Sequence, residues 1–349
     1  MDTLKKDIKS LSFLELNSLL SALNEKPFRI KQLLKWLYYF RANDFDSMTD
    51  LSKNLRNCLK KNFCFSNIKL LDYFKSNDSS VKFIFKTNDD VVFESVGIPN
   101  YKTDNSIYSL TVCVSSQAGC KIKCSFCSTG KQNFYRSLNI GEIVDQVLNI
   151  QKFFKYKVSN VVVMGQGEPF LNYENVIDGL KILNKHIANP IGARKITIST
   201  SGILNGIDKL SHEKEQFGLA VSLHSCIQNT RDLLMPGVKE FSLKKLHKAI
   251  ECYIQKTNRR PTFEYLLLKN INDDKQHLEA LIDYCRGLNV HVNLLPYNKT
   301  KDCEFIGSST YTFSYWKNEL LKSGIQSTIR KSRGSSVNAA CGQLINQVL

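Results

Sequence analysis

Three cysteines lie close together on one short stretch of the chain, at Cys120, Cys124 and Cys127. The C-x3-C-x2-C spacing places three thiolates on one compact loop, where they can bind three irons of a cubane 4Fe-4S cluster. The fourth iron then lacks a protein ligand and is open to a small molecule. The alternatives are a Cys3His zinc site or three ordinary buried thiols, although no second C-x-x-C pair follows to complete a structural zinc site.

Two further cysteines are candidates for thiol chemistry. Cys113 lies one short strand-length before the cysteine loop, and Cys341 lies among small residues after a basic tract. A catalytic thiol needs access and surroundings that favour the thiolate, and the stretch around Cys341 can supply both. Six other cysteines have no comparable setting and are predicted to be unreactive: Cys58, Cys64, Cys226, Cys252, Cys285 and Cys303.

Polar groups recur where predicted strands end. Gly167 lets a ligand approach the backbone closely, and the carboxylate of Glu168 can pair with an ammonium group. Hydroxyl, imidazole and amide groups at other strand ends suit hydrogen bonds to ribose, carboxylate and adenine. Each of these residues alone is more often a helix cap or a turn, but their repetition favours a cofactor site. The segments contribute Ser199, Ser222, Leu223, His224 and Asn298.

From about residue 108 onward the chain alternates strand-like and helix-like segments. Such alternation predicts parallel strands joined by right-handed crossovers. About six or seven units suit an α/β barrel, open or closed, better than a small Rossmann unit, so we predict a partial (βα)6 barrel. Ligands of such barrels bind at the carboxyl ends of the strands. The strand-like runs are Leu110–Val114, Asn160–Met164, Lys195–Ser199, Gly218–Leu223, Thr262–Leu268, His291–Leu295 and Gln326–Ile329.

The predicted organisation has four parts: residues 1–65, 66–106, 107–330 and 331–349. The first is a small helical domain with a basic face, which is either a solvated surface or an RNA-binding accessory. Two alternating apolar runs separated by Asn88-Asp89-Asp90 predict a β-hairpin in the second part, followed by a polar linker over 100–106. The third part is the barrel, and the fourth is a tail that carries Cys341.

Composition limits the class of protein and its surroundings. The net charge of +16 over 349 residues favours a polyanion partner such as a nucleic acid, although a generally lysine-rich proteome is the competing explanation. No apolar run is long enough to cross a bilayer, and the first residues lack the apolar core of a signal peptide. We therefore expect a cytoplasmic protein without membrane contact, whose 11 cysteines are reduced.

The motifs resemble a known family. The cysteine loop, with Phe126 before its last cysteine, resembles that of the radical S-adenosylmethionine (radical SAM) superfamily. More narrowly, the chain is similar to the adenine-methylating RlmN/Cfr-type RNA methyltransferases from Phe28-Arg29-x-x-Gln32-x-x-x-Trp36 to Leu344. One departure is Gln166, where the family usually has Met, and this backbone-dominated turn should tolerate it. The segments that carry the narrower resemblance are Cys113–Cys120, Gly167–Pro169, Ser222–His224 and Ala339–Leu344.

The resemblance implies a 4Fe-4S cluster and SAM as cofactors and a role for each lone cysteine. In the family, the cysteine that matches Cys341 is methylated by one SAM, and a second SAM is cleaved to a deoxyadenosyl radical. That radical takes hydrogen from the methylated Cys341, and the methylene radical adds to adenine. Cys113 then resolves the protein–RNA link by forming a disulfide. Glu94 matches the family's proposed proton acceptor, with a strand-surface carboxylate as the alternative.

The resemblance also implies substrates and partners. Family members methylate an adenosine of 23S rRNA at the peptidyl transferase centre, and some also modify tRNA. We expect methylation at adenine C2, an electron donor such as flavodoxin, and a monomer. The alternatives are Cfr-like C8 methylation, which confers antibiotic resistance, a radical SAM enzyme acting on a protein or metabolite, and a non-catalytic, zinc-stabilised RNA-binding protein.

Overall fold

The computed structural model of the protein describes residues 5–300 and 303–345, and within them the chain forms fourteen strands and eleven α-helices. The strands are β1 (Lys6–Asp7), β2 (Phe63–Cys64), β3 (Lys69–Lys75), β4 (Val81–Lys86), β5 (Val92–Tyr101), β6 (Ile107–Cys113), β7 (Gln117–Ala118), β8 (Arg136–Ser137), β9 (Asn160–Val163), β10 (Ile196–Thr200), β11 (Gly218–Ser222), β12 (Thr262–Leu267), β13 (His291–Pro296) and β14 (Ser327–Ile329). The α-helices are α1 (Phe13–Ala22), α2 (Arg29–Leu34), α3 (Lys53–Asn62), α4 (Ser128–Lys131), α5 (Ile140–Phe154), α6 (Tyr173–Lys185), α7 (Leu204–Ser211), α8 (Gln228–Leu234), α9 (Leu243–Thr257), α10 (Lys275–Cys285) and α11 (Thr310–Lys322). The shorter helical turns are a π-helix at Lys35–Tyr39 and 3-10 helices at Ile8–Ser10, Pro169–Asn172, Ala193–Lys195, Pro236–Val238 and Ser335–Val337.

One ten-stranded sheet organises the molecule, in the order β14-β13-β12-β11-β10-β9-β6-β5-β4-β3. From β6 to β14 every neighbouring pair is parallel. The predicted partial (βα)6 barrel is therefore confirmed, and all seven strand-like runs are strands of it. Parallel strands carry their carboxyl ends to the same edge, so the segments after β6, β9, β10, β11 and β13 meet at one mouth.

The segment 66–106 extends this sheet with antiparallel strands. The predicted hairpin is present as β4 and β5, and its turn includes Asp90 in the left-handed region at φ 63°. The structure adds β3, which pairs with β4. The expectation of a polar linker over 100–106 is corrected, because β5 continues to Tyr101 and pairs with β6, so that these residues form the end of a strand and a turn.

The N-terminal helices form a small layer against the barrel. Helix α1 begins with a capping box at Ser12 and Glu15, in which each side chain accepts a hydrogen bond from the other residue's backbone N–H. Apolar side chains at helical spacing are buried beneath these helices. They include Leu16, Leu20, Ile30, Leu33, Leu37, Leu55 and Leu59.

The tail after β14 crosses from one side of the barrel mouth to the other. Arg333 donates to the backbone oxygens of Asp78 at 2.9 Å and Pro99 at 3.0 Å. Ser336 and Ser76 share a hydrogen bond of 2.7 Å between their hydroxyls. The tail therefore runs from β14 to the antiparallel strands, and Cys341 lies on it after these contacts. No helix within the described ranges is long and apolar enough to span a membrane.

Candidate active site

The cysteine loop is held at the mouth by hydrogen bonds to neighbouring loops. The backbone N–H of Ser125 donates to Leu234 at 3.0 Å, and that of Gly237 donates to Ile122 at 2.9 Å. Glycine is required beside the loop, since a Cβ on Gly130 would come within 2.9 Å of the Cys124 backbone. The loop is thus fixed on two sides by backbone atoms, as a rigid ligand set requires.

The three cysteine thiols fit the ligand set of an iron–sulfur cluster. Burial raises the pKa of Cys120 to about 12 and that of Cys124 well above its ordinary value, and neighbouring thiols raise both further. Backbone N–H groups of Ile122 and Lys123 instead lower the pKa of Cys120, because they stabilise its thiolate form, which is the form that binds iron. Across residues 5–300 and 303–345, no three His, Cys, Asp or Glu side chains are placed so that they could hold a single metal ion. A cubane binds each cysteine to a different iron, so it does not need such convergence.

Glu168 ties the ends of β9 and β10 together. Its carboxylate accepts hydrogen bonds of 2.7 Å from the Thr200 hydroxyl and from both the backbone N–H and the hydroxyl of Ser201. Gly167 precedes it at φ 96°, where a Cβ would lie 2.5 Å from Gln117. Burial raises the pKa of Glu168, and these hydrogen bonds oppose that shift. A buried, oriented carboxylate of this kind can receive an ammonium group at the mouth.

The remaining predicted strand-end residues differ in their surroundings. His224 is buried, and its backbone adopts the left-handed conformation at φ 57°. Its Nδ1 accepts a hydrogen bond from the Leu266 N–H at 3.1 Å, and its ring packs edge-on against Phe126. Burial lowers the pKa of His224 to about 3, so the imidazole is neutral. Leu223 is buried, whereas Ser199 and Ser222 are only partly exposed at their strand ends. Among the described residues, Ser199 is not one of the donors to Glu168.

Cys341 lies beside the cysteine loop. The Ser128 N–H donates to the carbonyl of Gly342 at 2.8 Å, and the Thr129 hydroxyl donates to that of Leu344 at 2.8 Å. Asn298 donates to the carbonyl of Cys341 itself at 3.2 Å. Cys341 is exposed as a residue, but the surrounding protein raises the pKa of its thiol by desolvation. The tail therefore brings this thiol to the same mouth as the predicted cluster ligands.

Cys113 lies at the end of β6 and faces the same tail. It packs in a small buried cluster with Val96, Ala339 and Leu344. Burial raises the pKa of Cys113 to about 12, and the Cys341 thiol is near enough to raise it further. All 11 cysteines, these two included, have free thiols in the structure. The chain thus brings the two lone thiols into one neighbourhood although they lie 228 positions apart in the sequence.

Glu94 is fully buried, so it is not the strand-surface carboxylate considered as its alternative. Its Oε1 lies 3.3 Å from Nζ of Lys82 on the neighbouring strand, and its Oε2 accepts the N–H of Ile345 at 3.0 Å. The Glu94 backbone N–H donates to the side chain of Gln166 at 3.1 Å. Glu94 therefore contacts the end of the described tail, a few residues after Cys341.

Several residues of this mouth were not predicted from the sequence. Thr200 and Ser201 bind Glu168, but nothing in a run of hydroxyl residues tells which side chains face the carboxylate. Lys82 pairs with Glu94 across the two strands of the predicted hairpin. Alternation along each strand does not tell which residues lie near each other until the register between the strands is known. Arg231 is buried beneath the loop, and a charged residue in a short helix gives no sequence signal of burial.

Comparisons with known proteins match both parts of the chain. Residues 6–65 match the ribosomal RNA large subunit methyltransferase N-terminal domain, and residues 114–284 match the radical SAM superfamily. A probable dual-specificity RNA methyltransferase RlmN from Caldicellulosiruptor saccharolyticus is 42% identical over 98% of this chain and 97% of its own length. One with the same name from Staphylococcus aureus is 40% identical over 97% of this chain and 93% of its own length.

A solved structure agrees with these sequence matches. The crystal structure of a radical SAM methyltransferase from Sphaerobacter thermophilus superposes with a TM-score of 0.86 at 36% identity, covering 98% of this chain and all of that one. Barrel, cysteine loop and match together define a radical SAM enzyme, which uses a 4Fe-4S cluster and SAM. The sequence identity to the two RlmN proteins extends over nearly the whole chain and narrows the assignment within this superfamily. The chain belongs to the RlmN family of radical SAM RNA methyltransferases.

Proposed function

We propose that this enzyme methylates carbon 2 of an adenosine in 23S rRNA, at the peptidyl transferase centre, and an adenosine in tRNA. The observation that carries the proposal is the docked tail, which brings Cys341 beside the cysteine loop and Cys113. A binding protein stabilised by its cysteine loop alone would have no use for two further thiols at the same mouth. The dual-specificity name of the relatives supports the two RNA substrates.

Each residue of the mouth has a role in this proposal. Cys120, Cys124 and Cys127 hold the cluster, which together with SAM supplies the carbon radical that an unreactive ring carbon requires. Glu168 receives the SAM ammonium group, and the backbone of Gly167 gives it close approach. The strand-end segments with Ser199, Ser222, Leu223, His224 and Asn298 surround the rest of the cofactor. Neutral His224 offers no charge to compete with that of the sulfonium.

The reacting groups come from the tail and from β5 and β6. Cys341 carries the methyl carbon to the adenine, so its sulfur becomes bonded through that carbon to the base. Glu94 takes the proton that leaves the ring carbon, and the single electron left on the ring by radical addition would return to the cluster. The Cys113 thiolate then attacks the Cys341 sulfur and forms a transient disulfide. The bond between that sulfur and the transferred carbon breaks, the carbon takes up a proton to become the methyl group, and the methylated base is released. Cellular thiol reductant restores both thiols.

Replacement of each lone cysteine tests this division of labour. With anaerobically reconstituted enzyme, SAM, reductant and an rRNA fragment, Cys341→Ala should abolish RNA methylation, because no sulfur then carries the methyl group. Cys113→Ala should instead accumulate enzyme covalently linked to RNA, visible as a shifted band on a denaturing gel. Cys252→Ala, a partly buried cysteine on α9, is the matched control and should retain activity. RNA methylation by Cys341→Ala would contradict the role of Cys341.

The position of the new methyl group separates two reactions within the family. Nucleoside mass spectrometry with synthetic 2-methyladenosine and 8-methyladenosine as standards measures it directly. The RlmN name of the relatives favours the C2 product. An 8-methyladenosine product would instead identify a Cfr-like enzyme.

The helical segment 1–65 is the accessory RNA-binding domain of this proposal. It exposes aromatic rings beside cations, with the Arg29 guanidinium 5.0 Å from the Phe28 ring and Lys35 Nζ 5.0 Å from the Phe40 ring. Phe28, Tyr39 and Phe40 are each about half exposed. Exposed rings can stack on unpaired bases while cations contact phosphates.

Salt dependence measures how far phosphate contacts contribute to RNA binding. If the protein makes about six to ten such contacts, the affinity for an rRNA fragment should fall by ~10³–10⁵ between 50 and 200 mM salt. Lys35→Gln should reduce the slope of log affinity against log salt by about one. Lys322→Gln, on α11 at the far end of the chain, is the control and should leave the slope unchanged. An identical slope for Lys35→Gln would exclude this surface as the RNA contact.

The remaining parts of the proposal concern organisation and surroundings. The divisions 66–106, 107–330 and 331–349 act as a sheet extension, a barrel and a methyl-carrying tail. The enzyme acts as a monomer in the cytoplasm, where free thiols persist, and receives electrons from a low-potential donor such as flavodoxin. Size-exclusion chromatography with light scattering, and reduction of the cluster by purified flavodoxin, test these statements.

A further inference from the structure

Arg231 is a fully buried arginine on α8, behind the cysteine loop. Its Nη2 donates to the carbonyl of Ser201 at 2.6 Å, whereas Nε and Nη1 are buried without an acceptor among the described residues. No carboxylate of the described chain forms an ion pair with it. A buried charge without a partner is costly, and removing such a charge from water normally requires a compensating anion.

The neighbourhood of Arg231 shows where that anion belongs. Leu234, one helical turn further along α8, accepts hydrogen bonds from both the N–H and the hydroxyl of Ser125, which lies between two of the predicted cluster ligands. The N–H of Gly237, three residues beyond the end of α8, donates to the carbonyl of Ile122 at 2.9 Å, on the other side of Cys124. The helix and the cysteine loop are thus packed together, with the unsatisfied guanidinium on the protein side of the loop.

We propose that Arg231 is the buried countercharge of the iron–sulfur cluster and raises its reduction potential. The inference rests on the proposed cluster site, and it adds a positioning and electrostatic role for a residue that binds neither iron nor substrate. Reduction adds one negative charge to the cluster, and a fixed positive charge nearby stabilises the reduced form more than the oxidised form. Charge and hydrogen bonding near the sulfurs are among the factors that set such potentials. A cluster must accept an electron before SAM can be cleaved, so this residue would ease that step.

An EPR-monitored redox titration of the anaerobically reconstituted full-length enzyme tests the inference. Arg231→Met keeps the length of the side chain but removes its charge, and it should disfavour the reduced cluster about tenfold. For a one-electron couple that is a shift of about 59 mV to more negative potential. Arg231→Lys keeps the charge and should stay close to the wild-type potential. Arg259→Met is the matched control, because Arg259 also donates to backbone carbonyls, at 3.3 and 3.4 Å, but lies at the other end of the barrel.

Iron and sulfide content and circular dichroism accompany each titration. A folded Arg231→Met that loads a full cluster at the wild-type potential would overturn the inference, as would an Arg231→Lys shift as large as that of Arg231→Met. A folded Arg231→Met that cannot retain iron, beside an Arg231→Lys that can, would support it. If Arg231→Met does not fold, Arg231→Gln replaces it under the same criteria. Failure of the wild-type protein to bind iron would count against the proposed function and not against the role of Arg231.

Discussion

At the scale of single residues, Asp7 is a buried carboxylate whose surroundings disfavour its charge. Its Oδ1 accepts the N–H of Lys9 at 2.9 Å and that of Ser66 at 3.3 Å, whereas Oδ2 is buried without a hydrogen-bond partner in the described chain. Burial raises the pKa of Asp7 to about 6, and the hydrogen bonds only partly offset that effect. The folded protein therefore binds the Asp7 proton more tightly than the unfolded chain does.

This raised pKa predicts a pH dependence of stability. Because the folded pKa of about 6 exceeds the unfolded value of about 4, the free energy of unfolding should fall as pH rises from 4 to 6. The Asp7 contribution amounts to about 3 kcal/mol and should remain lost above pH 6. Asp7→Asn cannot ionise, so urea unfolding at pH 4.5 and 7 should show a smaller fall than the wild type does. Equal falls in both proteins would contradict the prediction.

Residue types at the site were predictable from spacing, but their partners were not. The three loop cysteines, Cys113, Cys341 and Glu168 all lie around one mouth, as a shared role requires. Which hydroxyls bind Glu168 depends on the register of β10, and alternation along a strand cannot fix that register without its neighbour. The burial of Arg231 was not predicted, because charged residues are seldom fully buried and a sequence pattern therefore assigns an arginine to the surface.

At the scale of elements, a buried ion pair joins the N-terminal 3-10 helix to α5. The Lys9 Nζ donates to both carboxylate oxygens of Asp145 at 2.6 Å and to the Asn67 side chain at 2.8 Å. Both charged side chains are only 4% exposed. By contrast, Lys6 and Glu15 form an exposed pair at 3.4 Å, in which the side chains are 56% and 52% exposed.

Removing one member of the buried pair should be costly. Lys9→Met leaves Asp145 buried without its counterion, so the free energy of unfolding should fall by about 3–5 kcal/mol. Lys6→Met should lower it by less than about 1 kcal/mol, since exposed pairs contribute little. The double variant Lys9→Met with Asp145→Leu should recover most of the loss. Urea unfolding of the three variants measures this, and similar losses for Lys9→Met and Lys6→Met would contradict it.

The elements themselves were largely readable from the sequence. Apolar runs of strand length separated by helical periodicity located every parallel strand of the barrel. The strand β3 was missed because its residues are mostly exposed and do not alternate cleanly, and it is held by its backbone pairing with β4. The turn at 100–106 looked like a linker because polar residues there close a hairpin between long strands.

At the scale of the whole molecule, the tail closes the barrel mouth through contacts very distant in sequence. Arg333 and Asp78 are 255 residues apart, and their side chains meet at 3.2 Å. The Gly334 N–H donates to the same Asp78 carboxylate at 2.7 Å. No local pattern predicts such pairings, because they depend on how the sheet brings its antiparallel strands back to the tail. The position of Cys341 follows from this docking.

Weakening the docking should lower activity without touching the cluster. Arg333→Ala removes hydrogen bonds to a carboxylate and to backbone oxygens, each worth about 1.5–3 kcal/mol when a charged group is involved. We expect at least a tenfold slower RNA methylation, faster proteolysis of the tail and unchanged iron content. Arg260→Ala is the control, since Arg260 binds Gln326 and Val290 away from the mouth. Asp78→Ala should resemble Arg333→Ala, and the double variant should be little worse than either single one, because both changes break the same contact. Full activity of Arg333→Ala with an exposed tail would mean that Cys341 reaches the base without this docking.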